Sequence, residues 1–145
     1  MKERVTSAVI LFLVIATSAY FGFPRIKTFS GNDETLWSYD RVPNFWKGVR
    51  ERNWKKTDIN DKPGVMLAII SGAGLPFIPN PKESKSLAYQ PKTAQQLNTI
   101  DNIYYYLRLP IFLFFLLALP LFYFLIKKLL GANIAIFSII FIGLS

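Results

Sequence analysis

The chain of 145 residues contains no cysteine and no histidine. Without cysteine there is no disulfide and no thiolate nucleophile. Without histidine the commonest general base and the commonest metal ligand are both missing. Acidic residues are scarce as well: nine, against seventeen Lys and Arg, for a formal net charge of +8. Any chemistry in this stretch therefore falls to carboxylates, lysine, arginine or tyrosine. The sequence has no internal repeat, no phosphate-binding glycine loop, no nucleophile elbow and no metal-ligand spacing.

What is present in quantity is apolar sequence. The hydrophobic fraction is 52% and the aromatic fraction 16%. Residues 109–126 and 129–144 form two runs too long and too apolar for an ordinary soluble core, since a membrane-spanning helix needs about 20 mostly apolar residues. A third run, residues 5–23, carries no charge. Its charged start, Met1-Lys2-Glu3-Arg4, and the Thr17-Ser18-Ala19 triplet would suit a cleaved signal peptide. Its 19 residues exceed the roughly 7–15 of such a segment, and Tyr20, Phe21 and Phe23 sit where an interfacial aromatic belt belongs, so it reads as a span.

The expected fold is an all-α integral membrane protein of about three transmembrane helices, at 1–23, 109–126 and 129–145. Residues 24–108 form an external module of juxtamembrane and interfacial helices. The last apolar run is still open at Ser145, which points to a fragment of a longer chain. Lys127-Lys128 is a short positive turn without an acid, hence cytoplasmic, and Lys2 and Arg4 fall on the same side. The expected location is the plasma (inner) membrane, multi-pass, with a cytoplasmic N-terminus and 24–108 facing the exterior or periplasm. That module has 13 basic and 8 acidic residues, but segments longer than about 60 residues cross largely regardless of charge. A basic surface beside a bilayer suits anionic membrane lipids, or is simply a solvated face. An external, tethered module has little occasion to meet nucleic acid.

Within the module, Ser30 and Asp33 have capping-box spacing, and Asn32 or Asp33 suits the cap of a helix starting near Glu34. Trp37, Trp46 and Trp54 follow, interleaved with Arg41, Lys47, Arg50, Arg52, Lys55 and Lys56, with Pro43 expected to interrupt the helix. This pattern reads as two amphipathic helices in the headgroup plane, or as aromatics packed under a loop. A further helix is expected from Pro63, loosened by Ser71-Gly72-Ala73-Gly74 and stopped by Pro76 and Pro79. Its N-terminus offers backbone N–H groups and a positive dipole end, where Lys62 would help to hold a phosphate or Asp61 would merely cap. Residues 79–102 read as an exposed polar loop, with a short helix from Thr93 toward Tyr106 leading into the next span.

The order of these features resembles the N-terminal part of membrane glycosyltransferases of the protein O-mannosyltransferase and aminoarabinose-transferase type. Those are multi-span proteins of the GT-C fold that use polyprenyl-phosphate-linked sugars. The resemblance is carried by Asp33-Glu34, Asp61-Lys62-Pro63-Gly64, Arg108-Leu109-Pro110 and Lys127-Lys128-Leu129-Leu130-Gly131, in that order, and covers essentially the whole chain. Gly64 stands where the family has a second proline, and Asp61 where Glu or His is more usual.

The resemblance implies an inverting transfer from a polyprenyl-phosphate-linked sugar donor to an acceptor that the sequence leaves unidentified. Asp33 would be the general base that takes the acceptor's proton, with Glu34 orienting it or the acceptor. Lys62 would hold the donor phosphate, Arg108 would anchor a headgroup or bind substrate, and Asp61 would help to bind a divalent metal cation. Phosphate leaves without a strong acid, so one base suffices where a glycosidase needs two carboxyls. The second expectation, from another class, is a small non-catalytic membrane protein whose basic, Trp-rich loop binds lipid headgroups or a partner protein. The enzyme reading requires Asp33 and the Asp61–Lys62 pair to converge within about 10 Å; the binding reading requires an exposed tryptophan patch instead.

Overall fold

The computed structural model describes residues 2–28, 34–59, 64–90 and 93–144, with side chains from Val5 onward except that of Thr28. Every regular element among the described residues is helical. The chain divides into two compact units: Met1–Arg25 with Phe112–Ser145, and Ile26–Ile111.

The first unit is built from α1 (Lys2–Thr28), the second half of α5 (Ala94–Leu130) and α6 (Ala132–Leu144). Two helices are long and apolar enough to cross a bilayer, Val5–Lys27 and Ala94–Leu130. The third expected span is represented by α6, whose 13 residues rise about 20 Å, short of a hydrocarbon core of about 30 Å. Val14, Leu119, Tyr123, Ala135 and Ile139 form the buried core. Glycines leave room for side chains of the neighbouring helix: a Cβ on Gly22 would lie 2.4 Å from the Phe112 ring, and one on Gly143 would lie 2.4 Å from the Val14 side chain. The Ser18 hydroxyl sits between the carbonyls of Val14 and Gly143 and donates its one proton there. Ser7 borders the start of α6 and Ser18 its end, so α1 and α6 run in the same direction.

The turn after α5 explains how the chain reverses. Gly131 adopts φ 94°, a conformation that favours glycine, and its N–H reaches the Lys127 carbonyl at 3.1 Å. Lys127 and Lys128 lie in the last turn of α5, where cations complement the helix dipole. Phe12, Leu117, Leu121, Phe137 and Phe141 point outward with 69, 70, 72, 74 and 79% of their surface exposed.

The second unit packs α2 (Glu34–Leu36), α3 (Val42–Arg50) and α4 (Val65–Ser71) against the first half of α5. The expected break at Pro43 is absent. The chain passes from α2 to α3 through a π turn, Trp37–Arg41, in which the Val42 N–H reaches back to the Trp37 carbonyl. Pro43 thus falls in the first turn of α3, where its missing N–H costs little. Trp37, Tyr39, Phe45 and Trp46 belong to the core, and among the tryptophans Trp54 stands exposed. Two of the three tryptophans are therefore held by packing within this unit.

Two further expectations shift. The helix expected from Pro63 begins at Val65, because Gly64 at φ 86° is non-helical and forms its cap; Pro63 lies outside the described residues. The expected polar loop is partly ordered as a 3-10 helix, Pro81–Ala88, with Pro81 and Ser84 buried. Its Lys85 donates to Asp40. That hydrogen bond raises the Lys85 pKa, so the stability it adds is present at neutral pH and is lost as pH rises through the raised value. α5 starts with a reciprocal cap: the Gln96 N–H donates to Thr93 Oγ1 at 3.3 Å, and the Thr93 N–H donates to Gln96 Oε1 at 3.1 Å.

The short helix expected from Thr93 and the following span are one continuous helix, although Pro110 lies inside it. Pro110 has no N–H for the Tyr106 carbonyl four residues earlier. The Ser71-Gly72-Ala73-Gly74 stretch packs on that carbonyl side: Ser71 Oγ donates to the Leu107 carbonyl at 2.8 Å, and a Cβ on Gly74 would lie 1.8 Å from the Tyr106 oxygen. The obstacle is helix backbone, which yields less than a side chain. Gly74→Ala should therefore destabilise the protein by about 2–3 kcal/mol, read as a lowered thermal unfolding midpoint of the full chain in detergent. A variant as stable as the parent would show that this close approach is not required.

Candidate functional site

Arg108 is the best-connected polar side chain among the described residues. It projects from α5 just before Pro110, in a mostly apolar stretch where an unpaired guanidinium would be costly. Its Nε and Nη2 donate to the two carboxylate oxygens of Glu34, a two-pronged pairing that fixes both side chains. Its Nη1 donates to the Ile26 carbonyl, near the end of α1. A cation at this end also complements the α1 dipole. The guanidinium lies 4.9 Å from the centre of the Tyr104 ring, and Lys27 lies 5.1 Å from that of Tyr105.

Behind this cluster the packing is aromatic. Tyr104 meets Tyr39 edge-on with ring centres 6.0 Å apart, and its hydroxyl lies 3.5 Å from Thr35 Oγ1. Tyr39 is fully buried, and its hydroxyl has no hydrogen-bond partner of acceptable geometry among the described residues. Burial, and then the nearby Tyr104 hydroxyl, push its pKa well up, so it stays neutral.

Of the five expected site residues, the structure brings Glu34 and Arg108 into direct contact across 74 positions of sequence. Asp33, Asp61 and Lys62 lie outside the described residues. Glu34 has both oxygens engaged by Arg108, an arrangement suited to positioning rather than to proton transfer. Arg108 directs its donors to Glu34 and to α1, so the anchoring it performs here is of protein to protein. Among the described residues no group of three carboxylates could hold a metal ion. Asp40 is paired with Lys85, Glu51 with Lys56, and Glu83 with Asn80.

A second feature was not singled out from the sequence. A cleft of about 790 Å³ opens between α3 and the chain from Gly72 to Lys82. α3 presents Pro43, Trp46, Lys47 and Arg50 to it, the i, i+3, i+4, i+7 spacing of one helix face, and Lys82 adds a cation from the opposite wall. That spacing was legible in the sequence; the contribution of Lys82 was not, because it depends on the fold of residues 72–82. Glu51, which does not line the cleft, lies 2.8 Å from Lys56 and 3.6 Å from Lys47, and its pKa is lowered, first by the Lys56 hydrogen bond.

No protein-family model, curated protein or solved structure matches the chain significantly. The residues themselves must therefore support any functional reading.

The Arg108–Glu34 pair has side chains 17 and 25% exposed. Breaking a fully buried pair costs roughly 3–5 kcal/mol, so with this residual solvation Arg108→Gln or Glu34→Gln should each cost about 2 kcal/mol. The double variant should cost about as much as either one, and Arg108→Lys should not rescue, because an ammonium cannot reproduce the three-way fork. Denaturation of the parent and the four variants reads this directly. Additive losses would show the two residues to be independent.

Proposed function

We propose that this chain is the N-terminal part of an inverting glycosyltransferase that moves a sugar from a polyprenyl-phosphate donor to an acceptor at the external membrane face. The observation that carries the reading is the contact between Glu34 and Arg108. These residues belong to two separate motifs of the resemblance, and they meet directly beside Asp33 in the chain. A membrane setting is supported by the two long apolar helices and by large apolar side chains facing outward from the first unit. In this setting α6 belongs to a third span. The Lys127-Lys128 turn borders the same end as the start of α1, as charge-directed orientation requires.

In the proposed reaction Asp33 takes the proton from the acceptor hydroxyl as oxygen attacks the anomeric carbon from the face opposite the phosphate. The bond from that carbon to the phosphate oxygen breaks, and the lipid phosphate leaves with the electron pair, held by Lys62. Glu34 and Arg108 position the chain that carries the base. Asp61 remains the candidate for a divalent cation, and no step depends on that ion. The non-catalytic alternative calls for an exposed tryptophan patch, whereas Trp37 is buried and Trp46 is only partly exposed.

The test is Asp33→Asn in the full-length protein, assayed for transfer from a polyprenyl-phosphate sugar. Loss of a positioned base should lower the rate by about 10²–10⁴-fold while leaving the folded protein intact. Transfer at the parental rate would remove Asp33 from the chemistry. Absence of transfer by the parent protein across polyprenyl-phosphate sugars would move the lipid- or partner-binding reading to first place.

A further inference from the structure

We infer that the cleft between α3 and residues 72–82 binds the phosphate headgroup of an anionic membrane phospholipid; this rests on the membrane setting proposed above, not on the transferase activity. Three observations converge on it. The first is preformed shape. The Trp46 ring forms one wall and is held from two sides: its Nε1 donates to the Ala68 carbonyl at 2.8 Å, and it fills the space over Gly72, where a Cβ would lie 1.6 Å from that nitrogen. A rigid wall reduces the ordering cost of binding.

The second observation is charge. Lys47, Arg50 and Lys82 border the cleft from two separate stretches of chain, and among the described residues no Asp or Glu lines it. Lys47 is shared with Glu51 at 3.6 Å, an exposed and therefore weak pairing. The Arg50 Nε donates to the Trp46 carbonyl at 3.3 Å, which uses one of the guanidinium's several N–H donors.

The third observation separates a lipid from a free anion. The cleft is walled by Leu75, Pro76 and Ile78 beside the cations. Phe77 of this segment is 68% exposed, and Met66 and Ile69 of the preceding helix α4 are 63 and 43% exposed. An apolar strip continuous in the chain with a cationic cleft suits an amphiphile, with its phosphate at the cations and its chains along the strip. The attraction of one Lys or Arg to an anionic membrane surface corresponds to about fivefold in affinity.

The experiment measures retention of phosphatidylglycerol against phosphatidylcholine on the full chain by native mass spectrometry. The parent should retain phosphatidylglycerol selectively. Arg50→Gln with Lys82→Gln should reduce that selectivity by about 25-fold, and Arg50→Lys with Lys82→Arg should preserve it. Circular dichroism of each variant establishes that the helices are intact. Equal retention by the parent and the neutralised variant would overturn the assignment. So would complete displacement of the lipid by millimolar inorganic phosphate, which would make this a free-anion site. Retention of polyprenyl phosphate in place of phosphatidylglycerol would give the cleft to the donor and overturn the phospholipid. Insertion into vesicles of phosphatidylcholine alone is read separately. Failure there overturns the membrane setting and the inference together, whereas insertion with no phosphatidylglycerol selectivity overturns only the inference.

Discussion

A short window of α5, from Tyr104 to Pro110, is the constraint on which the second unit depends. Pro110 withholds an N–H from the Tyr106 carbonyl, and Ser71 and Gly74 occupy the adjoining face of the helix. Two residues before the proline, Arg108 joins the end of α1 to the start of α2 through Ile26 and Glu34. Three stretches distant in sequence are thus anchored to little more than a turn and a half of helix. Groups that are costly alone are paired here: the Arg108 guanidinium, in apolar sequence, meets the Glu34 carboxylate and the Ile26 carbonyl.

The all-helical architecture was legible because its signals are long and redundant. Apolar runs and a helix start near Glu34 each follow from local chemistry, whereas the turn expected at Lys127-Lys128 falls instead at Gly131, with both lysines still in the last turn of α5. Boundaries were less legible where tertiary packing overrode a local breaker. Pro43 read as an interruption, and the helix from Thr93 as a short one ending near Tyr106, yet Pro43 and Pro110 both sit inside continuous helical runs. One is accommodated by the π turn before it, the other by partners arriving from α4. The fate of the tryptophans was equally hidden. A Trp-and-Lys pattern is the same for an interfacial helix and for a helix with one packed face, and only the arrival of Ala68 and Gly72 against Trp46 distinguishes them.

Legibility of the site divides in the same way. Glu34 and Arg108 were both visible as candidates, but their pairing was not, since it joins residues 74 positions apart. A buried arginine does demand a carboxylate, and few acids were available to answer it. In the proposed enzyme this divides the labour: Glu34 and Arg108 hold the chain in place, while Asp33 and Lys62 carry the reacting proton and the departing phosphate. The basic cleft on α3 is a separate surface, formed by residues that neither motif contains.

In the proposed enzyme Asp33, which directly precedes Glu34 in the chain, and Lys62 must share one substrate. The absence of native cysteine makes this directly measurable with Asp33→Cys and Lys62→Cys introduced together into the full-length protein in membranes. A bifunctional thiol reagent spanning about 10 Å, the separation one substrate can bridge, should join them in high yield. The yield should fall when Arg108→Gln is added. Joining only by a markedly longer reagent, with no response to Arg108→Gln, would contradict the proposed site and the role of the Glu34–Arg108 pair in building it.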